Sequence, residues 1–569
     1  MLELINTLPL LARPLASAIA HRARHLFMPN GPIFPRSGGA GSGNWRRFLA
    51  GCFIAICGVR IFLVERFASS IAYGDDLDGI ARRLLLPWSR GTLSWSVLFA
   101  AHNGDHRILA TRLWEILWFT INGSWDPKLV MIAKVPVFAA AATIFVHLFT
   151  GRLERHRYAT AGILTALFAF PFAFANLLWA FQSQFDFFLL AAALGWLAAL
   201  SGRTVLALVL AALSILTLAS GPIIAVSFIP LFAVRWLQGR WRISRAFWHG
   251  VAALGILAIG LMSPTAVAKP HVGTPVDKAE MLVRLYGWPY SNLMSIIERL
   301  PETEKYVPAR LLRLPSPDHS LLLAAARVMH AHPILPVAFD GVCGAILLAP
   351  TLLLLGAILR RRVPLRVGLG PLGLAGFAFL MLVATAMARA DEVTIAPRFL
   401  DHVSLAGFAS LAAAVAVASR EPRWRRRLVA WSVVMGIGYA ATMVITVAQM
   451  SRHAPAEALS ILQRYYATTP HDHAVMAENR AFHRFIVSDD PTQFMSELDT
   501  PGLEKIMPLE VTSPGAPVGP AARLAFSFAR YGWLVALLGA GWACAMAWRA
   551  GREREPAGDP ALEATAAAS

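Results

Sequence analysis

The stretch FLAGCFIAICGVRIFLVER occupies residues 48–66 and decides the fold, because a single charge, Arg60, interrupts its apolar interior. An apolar run of this length crosses the hydrocarbon core of a bilayer as one helix. Eleven further runs follow, although 185–200 and 222–235 are short. They are 129–150, 159–180, 185–200, 204–220, 222–235, 247–263, 338–359, 367–388, 399–419, 428–449 and 524–548. The sequence therefore predicts an all-α polytopic membrane protein with about 12 transmembrane helices.

The composition agrees with burial in lipid. The 569 residues are 56% hydrophobic and 15% charged, whereas soluble domains have about 25% charged residues. The formal net charge of +18 does not indicate a nucleic-acid partner, because the basic residues are spread over short loops. We expect no disulfide and no thiol metal site, because all four cysteines fall inside apolar runs: Cys52, Cys57, Cys343 and Cys544.

The short basic loops predict the orientation, since loops rich in Lys and Arg stay in the cytoplasm. With 12 helices, every such loop falls on one side together with both termini, which we expect to be cytoplasmic. The basic segments are 46–47, 152–157, 235–245, 360–362, 420–427 and 549–554.

The predicted organisation has five parts. They are a cytoplasmic tail (1–46), a transmembrane core (47–449), an outer loop region (450–523), a last transmembrane helix (524–548) and a disordered cytoplasmic tail (549–569). The core carries two long outer loops, 67–128 and 264–337. Outer loops of this length, with Trp, His and acidic residues, are where we expect the chemistry.

The first outer loop opens with three carboxylates in four residues, Asp75, Asp76 and Asp78. Like charges this close repel, which makes one of them a candidate general base. The alternative is a solvated helix N-terminus, where Asp is favoured. Further along, 92–118 mixes aromatic and polar residues and predicts one or two interfacial helices.

Within that stretch, His102-Asn-Gly-Asp105-His106-Arg107 could bind a metal, hydroxyls or neighbouring loops, and its spacing is not specific for a metal. In the 450–523 region, His471-Asp-His473 with His483 lacks a convincing fourth zinc ligand. No motif supports a divalent metal, so no cofactor is predicted.

The order of these features resembles the GT-C superfamily of integral-membrane glycosyltransferases, with an acidic pair after the first helix, interfacial helices and many further spans. Family members often have Arg-Tyr where this chain has Arg398-Phe399, so a hydroxyl is absent and the cation remains. Three segments resemble recurrent patterns in bacterial members: 102–107 with Arg112, 176–185, and Arg389 with Arg398-Phe399.

The resemblance implies a polyprenyl-phosphate-linked sugar donor and a glycan or lipid acceptor of the cell envelope. It also implies an active site on the periplasmic face of the bacterial inner membrane. The family places its catalytic carboxylate in the first outer loop, where Asp75 and Asp76 match by position and Asp105 is the rival.

Such a transfer needs a base for the acceptor proton and cations for the phosphate leaving group. The predicted phosphate-binding residues are Arg398, Arg389, Lys134 and Lys269. An interface anchor is the alternative for Arg398, and snorkelling is the alternative for Lys134. The predicted sugar-binding residues are His102, His106, Arg107, Trp179, Gln182 and Gln184. An aromatic belt is the alternative for the Trp179 turn.

Three other functions stay open. A transporter or lipid flippase would have charges deep within spans, broken helices and internal symmetry. The polar residues here favour one face, and Arg60 is the exception. An envelope polysaccharide polymerase or ligase of another membrane fold would share the outer arginines and long loops. A non-catalytic scaffold would not need loops so dense in His, Asp and Arg.

Overall fold

The computed structural model shows a nearly all-α protein. It describes residues 41–72, 75–102, 106–153, 156–262, 273–291, 334–390, 395–452, 455–467, 496–513 and 518–553, together with 328, 331, 332 and 515. A two-stranded antiparallel hairpin is the one sheet among these residues.

The helices are given in chain order. The first half contains α1 (Gly41–Phe67), a π-helix (Asp76–Leu85), α2 (Leu86–Ser89), α3 (Trp95–Phe99), β1 (Ala101–His102), β2 (His106–Arg107), α4 (Leu109–Asn122), α5 (Pro127–Thr150), α6 (Arg157–Ala169), α7 (Phe174–Leu178), α8 (Ser183–Leu200), α9 (Thr204–Leu213), α10 (Ile223–Ser227), α11 (Ile229–Leu237) and α12 (Ile243–Met262). The second half contains α13 (Pro275–Gly287), α14 (Ile334–Leu359), α15 (Leu365–Ala388), α16 (Leu400–Ala418), α17 (Pro422–Arg452), α18 (Pro455–Ala467), α19 (Leu509–Thr512), α20 (Pro520–Ala529) and α21 (Gly532–Arg552). Short 3₁₀ turns lie at Ala180–Gln182, Ser214–Leu216, Pro397–Phe399 and Leu503–Lys505.

Nine of the helices in the described part of the chain are long and apolar enough to cross a membrane. They are α1, α5, α8, α12, α14, α15, α16, α17 and α21. Many large apolar side chains on these helices are exposed, including Trp248, Leu254 and Leu261 of α12. Exposed apolar surface on this scale is what lipid covers. The protein is therefore a polytopic membrane protein.

The other three predicted spans, 159–180, 204–220 and 222–235, fold as shorter pieces. Pro171 interrupts the first of them, because the residue before a proline is forced towards extended backbone. Phe170 accordingly leaves the helical region with φ −75° and ψ 131°, and the chain resumes as α7. The last predicted span, 524–548, is also divided, since α20 ends before Arg530 and α21 begins at Gly532.

One end of the helix bundle gathers the basic loops, and we call it the basic face. Side chains at the helix ends and in these loops contact one another there, as expected for segments on the same side of a bilayer. Three contacts join these loops: Trp45 Nε1 donates to His147 Nδ1 at 3.0 Å, Arg152 donates to the Arg366 carbonyl at 3.0 Å, and Arg362 pairs with Glu421 at 3.2 Å.

The opposite end, which we call the site face, carries the first outer loop. Lys128 at the start of α5 pairs there with Glu65 near the end of α1 at 2.9 Å. Residues 496–513 pack on this loop, and Trp125 N donates to the Ile506 carbonyl at 3.2 Å. The loop is thus held between the helix bundle and a later segment.

The interfacial helix predicted within 92–118 is α4. Its apolar residues Leu113, Leu117 and Ile121 are exposed, whereas Arg112 and Glu115 are buried. A surface helix of a soluble protein buries its apolar residues and exposes its charged ones, so α4 shows the opposite pattern. It suits a helix whose outer side lies in the membrane interface.

Candidate functional site

A cavity of about 370 Å³ opens at the site face. Its walls come from the ends of α12 and α15, the start of α8 and α16, the β-hairpin and the connection between α9 and α10. The lining is mainly aliphatic, with Leu218, Ile223, Leu257, Leu261 and Met381 among its members. Its polar side chains are Ser220, Thr385, His106, Arg107, Arg389 and His402. Helices long enough to span a membrane thus bring an apolar wall and two guanidinium groups to one space.

Phe399 brings the two predicted phosphate-binding arginines together. The Arg389 Cζ atom lies 5.8 Å from the centre of the Phe399 ring, and the Arg398 Cζ atom lies 5.1 Å from it. Both distances are within the range of cation–π attraction. Arg389 and Phe399 line the cavity. Arg398 precedes Phe399 in the same 3₁₀ turn and is not a lining residue.

The β-hairpin supplies two polar residues of the cavity, His106 and Arg107. Ala101 pairs with Arg107 and His102 with His106 in its antiparallel register. Arg112 fixes the segment before the hairpin, because its guanidinium donates to the carbonyls of Leu98 at 2.9 Å and Ala100 at 2.6 Å. Burial, aided by the nearby Arg83 charge, lowers the pKa of Arg112 to about 10.

The two acidic residues after the first helix have different surroundings. The Asp75 side chain is 47% exposed, and its carboxylate lies 3.5 Å from Nε2 of His102. Asp76 is buried and accepts the N–H of Phe181 at 2.7 Å. Neither residue lines the cavity. Asp75 is the more accessible of the two, and Asp76 ties the first loop to the turn before α8.

Lys134 does not line the cavity. Its side chain is buried, and Nζ donates to the carbonyl of Asn176 at 2.5 Å and to the carbonyl of Trp179. These carbonyls lie at the C-terminal end of α7, where the last groups of a helix lack intrahelical partners. A cation is favoured at this end of a helix, so Lys134 stabilises the end of α7, before the turn that leads into α8.

Asn176 extends this contact to Arg398. Its side-chain amide donates to the Arg398 carbonyl and to the Asp401 carboxylate, both at 2.8 Å. Asp401 also lies 3.9 Å from the Arg60 guanidinium. Arg60 stacks on Phe138, with 3.2 Å between Cζ and the ring centre. We call Arg60, Lys134, Asn176 and Asp401 the buried cluster, and through Asn176 it holds the backbone of Arg398.

Glu115 is a buried carboxyl group of α4. It accepts the indole N–H of Trp125 at 3.1 Å. Burial, and the repulsion of the Asp76 carboxylate, raise the pKa of Glu115 to about 8. The same side chain can thus be protonated at neutral pH.

The remaining predicted residues take varied places. Gln182 and Gln184 are buried and bond to each other at 3.3 Å, and Trp179 contributes its carbonyl to Lys134. The His102 ring packs on Phe181, with 4.7 Å between the ring centres. None of these four residues lines the cavity. Asp105 and Lys269 lie outside the described residues.

Sequence reasoning missed His402 and Asp401. Both lie in the first turn of α16, within the run 399–419, and His402 follows Arg398 by one helical turn. Polar residues inside an apolar span are expensive and are functional candidates for that reason. This signal was present in the sequence at both positions.

A second cavity, of about 630 Å³, lies between α13, α14 and α15. Its lining contains no charged side chain, and small residues such as Gly344 and Gly376 form part of its wall. No group of three or more His, Cys, Asp or Glu residues in the described ranges could hold a metal ion. Comparisons with protein-family models, with curated proteins and with solved structures find no match to this chain.

Proposed function

We propose that the protein is an integral-membrane glycosyltransferase that moves a sugar from a polyprenyl-phosphate donor to a hydroxyl of a cell-envelope glycan or lipid. The observation that carries this proposal is the cavity at the site face. It combines an aliphatic wall for a lipid tail with Arg107 and Arg389, whose planar guanidinium groups suit a phosphate.

In this reaction a base takes the proton of the acceptor hydroxyl, and the acceptor oxygen attacks the anomeric carbon. The bond from that carbon to the phosphate oxygen breaks, and the polyprenyl phosphate leaves with its added charge. Arg107 and Arg389 stabilise this charge as it develops. Asp75, exposed and close to His102, is the proposed base, and Asp105, which lies outside the described residues, remains its rival.

Reconstitution tests the proposal directly. The protein is placed in liposomes with polyprenyl-phosphate hexoses and pentoses and with envelope acceptors, and sugar transfer is measured. We expect transfer to fall about 100-fold in Arg107→Gln, because one donor to the developing charge is lost, and also to fall in Asp75→Asn. Arg157→Gln, which removes a cation stacked near Trp45 at the basic face, is the control. Normal transfer in both site variants would overturn the site assignment.

We further propose 12 crossings of the bacterial inner membrane, with both termini in the cytoplasm. Ser220 and Pro222 line the cavity, whereas Arg235 donates to the Ala199 carbonyl at the far end of α8. The segments 204–216 and 223–237 therefore lead from one face to the other. Reporter fusions at Thr120 and Arg425 should report opposite sides of the membrane, and the same side for both would overturn the orientation.

A transporter or flippase is the second candidate, and the buried cluster favours it. Charges within spans and a helix broken at Pro171 are features of transport proteins. In this chain the Lys134 ammonium is occupied by backbone carbonyls. Movement of a labelled lipid-linked sugar across the liposome membrane, without transfer, would decide for this candidate.

A further inference from the structure

The His402 imidazole is a buried polar group in the wall of the cavity. Its exposed fraction is 1%, and it lines the cavity together with Arg389 and Phe399. Neither Nδ1 nor Nε2 has a hydrogen-bond partner among the described residues. Buried polar atoms nearly always have a partner in native proteins, so each exception calls for an explanation.

Two aromatic rings hold the imidazole in place. The Phe185 ring lies 6.0 Å away and is nearly parallel, at 21°, and the Phe399 ring lies 6.0 Å away at 52°. Neither ring can satisfy a ring nitrogen with an ordinary hydrogen bond. The two rings therefore support the imidazole by packing and leave both of its nitrogens without a hydrogen bond from the described residues.

A second histidine shows what a satisfied imidazole looks like in this protein. His147, at the basic face, accepts the indole N–H of Trp45 at 3.0 Å. It lies at the end of α5, away from the cavity. His402 differs in that its two unpaired nitrogens belong to a side chain that lines a cavity.

The chemistry of imidazole selects the ligand class. In its neutral form the ring offers one N–H donor and one acceptor nitrogen. A hydroxyl group offers the same pair in return, whereas a phosphate offers acceptors and a hydrocarbon offers neither. The cavity already presents guanidinium groups for a phosphate and aliphatic side chains for a lipid tail. A ligand hydroxyl thus matches the donor and the acceptor that His402 offers, which the guanidinium groups and the aliphatic wall do not duplicate.

We propose that His402 binds a hydroxyl of the sugar, so that the cavity selects a glycosylated lipid phosphate over the bare lipid phosphate. This inference rests on the proposed function, because it names the part of the donor that His402 recognises. It adds a specificity role that is separate from binding of the phosphate.

Equilibrium binding to the reconstituted full chain tests the inference. The probes are polyprenyl phosphate and polyprenyl-phosphate glucose, mannose and xylose. For each sugar, the measured quantity is the dissociation constant of the bare polyprenyl phosphate divided by that of the glycosylated one. We expect the wild type to prefer at least one sugar. His402→Phe, which keeps the stacking on Phe185, should lower that preference about tenfold, the size of one lost hydrogen bond.

Two variants make the result specific. His402→Gln keeps a donor and an acceptor on its amide and should recover part of the preference. Arg389→Gln should weaken both kinds of probe alike and leave the ratio unchanged, because both carry the phosphate. A deoxy-sugar series then identifies the hydroxyl, since its removal should lower wild-type binding and leave His402→Phe unaffected.

The thermal midpoint of the ligand-free protein gives an independent measurement. His402→Phe should raise the midpoint, because the substitution removes a buried group without a partner. His147→Phe should lower it, because Trp45 then loses its acceptor. A lower midpoint for His402→Phe would mean that the imidazole is satisfied inside the protein, and would overturn the inference.

The outcomes for His402 and for the proposed function are distinguishable. An unchanged ratio in folded His402→Phe, or equal wild-type binding of bare and glycosylated probes, overturns the role of His402, and sugar transfer then decides the proposed function separately. Failure of the wild type to bind any probe or to transfer any sugar overturns both. If His402→Phe does not fold, His402→Gln and the deoxy-sugar series carry the same comparison.

Discussion

The buried cluster and the cavity lie side by side at the site face, yet their polar groups make different contacts. In the cluster, Lys134 donates to two carbonyls and Asp401 lies against Asn176 and Arg60. In the cavity, Arg389 and His402 border a volume of about 370 Å³. The polar groups of the cluster bond to other parts of the protein and join helix ends. In the cavity wall, both nitrogens of His402 lack a hydrogen-bond partner among the described residues.

This difference separates two kinds of polar residue within membrane spans. A lysine or an aspartate in an apolar helix is a functional candidate by default. The contacts of Lys134 show that such a residue can act through the backbone that it positions. Substitutions in the two regions should therefore affect different measurements, stability for the cluster and ligand binding or transfer for the cavity.

The largest effect is expected at Asp401. Asp401→Ala should destabilise the protein by about 3–5 kcal/mol, because it removes one carboxylate from the buried Arg60 and the carboxylate acceptor of the Asn176 amide. Thermal or denaturant unfolding in detergent micelles measures the change, and Asp401→Asn, which keeps an acceptor for Asn176, should lose less. Unchanged unfolding in Asp401→Ala would show that the cluster does not support the fold.

Arg389 should show the opposite pattern. Arg389→Gln should lower sugar transfer about 100-fold, since one donor to the leaving phosphate is lost, while the unfolding midpoint stays close to that of the wild type. Transfer and unfolding measured on the same preparations check this. A loss of transfer that merely parallels a loss of stability would place Arg389 with the cluster.

The smallest expected effect concerns Glu115 and pH. Because burial raises its pKa from 4.5 to about 8, the folded protein binds its proton more tightly than the unfolded chain does. This contribution to stability is complete below about pH 4.5 and is lost as the pH rises towards 8.

Glu115→Gln should remove that part of the pH dependence while keeping an acceptor for Trp125. The difference between wild-type and variant unfolding midpoints, followed from pH 4.5 to about 8, measures the effect. Glu504→Gln, at an exposed position, is the matched control. A difference that does not change with pH would contradict the assignment.

Much of the fold could be predicted from the sequence, because length and apolarity alone specify a membrane helix. All nine long helices lie on predicted runs. The three shorter pieces were less predictable. Pro171 breaks a helix, whereas Pro136, Pro350 and Pro371 lie inside continuous helices, so the presence of a proline in an apolar run does not decide whether the helix continues. Lys134 contacts the carbonyls of Asn176 and Trp179 at the C-terminal end of α7, and a contact with backbone has no sequence signature.

The candidate site was predictable in part for the same reason. Arg389 and the hairpin residues His106 and Arg107 were found because charged residues in outer loops stand out, and the cavity brings them together. The pairing of Arg60 with Asp401 joins α1 to α16, and only the folded chain brings these helices into contact. His402 was hidden in an apolar run, where one imidazole changes the hydropathy little.

The first and last spans pack along a row of small residues. A Cβ atom on Gly58 would lie 2.2 Å from the Ala536 nitrogen, and one on Gly539 would lie 2.3 Å from the Ala55 nitrogen. The Asn44 side chain closes the basic end of this pair on Glu553 at 2.8 Å. Such close approach is how small residues join helices in lipid.

This packing has a consequence for how the protein is made. The ribosome releases α1 into the bilayer long before it translates α21, the principal neighbour of α1. During all intervening insertion steps the glycine row of α1 faces lipid or a substitute partner. Close packing along α1 is therefore completed only when α21 docks, and a chain truncated before that helix would leave the glycine row of α1 exposed to lipid.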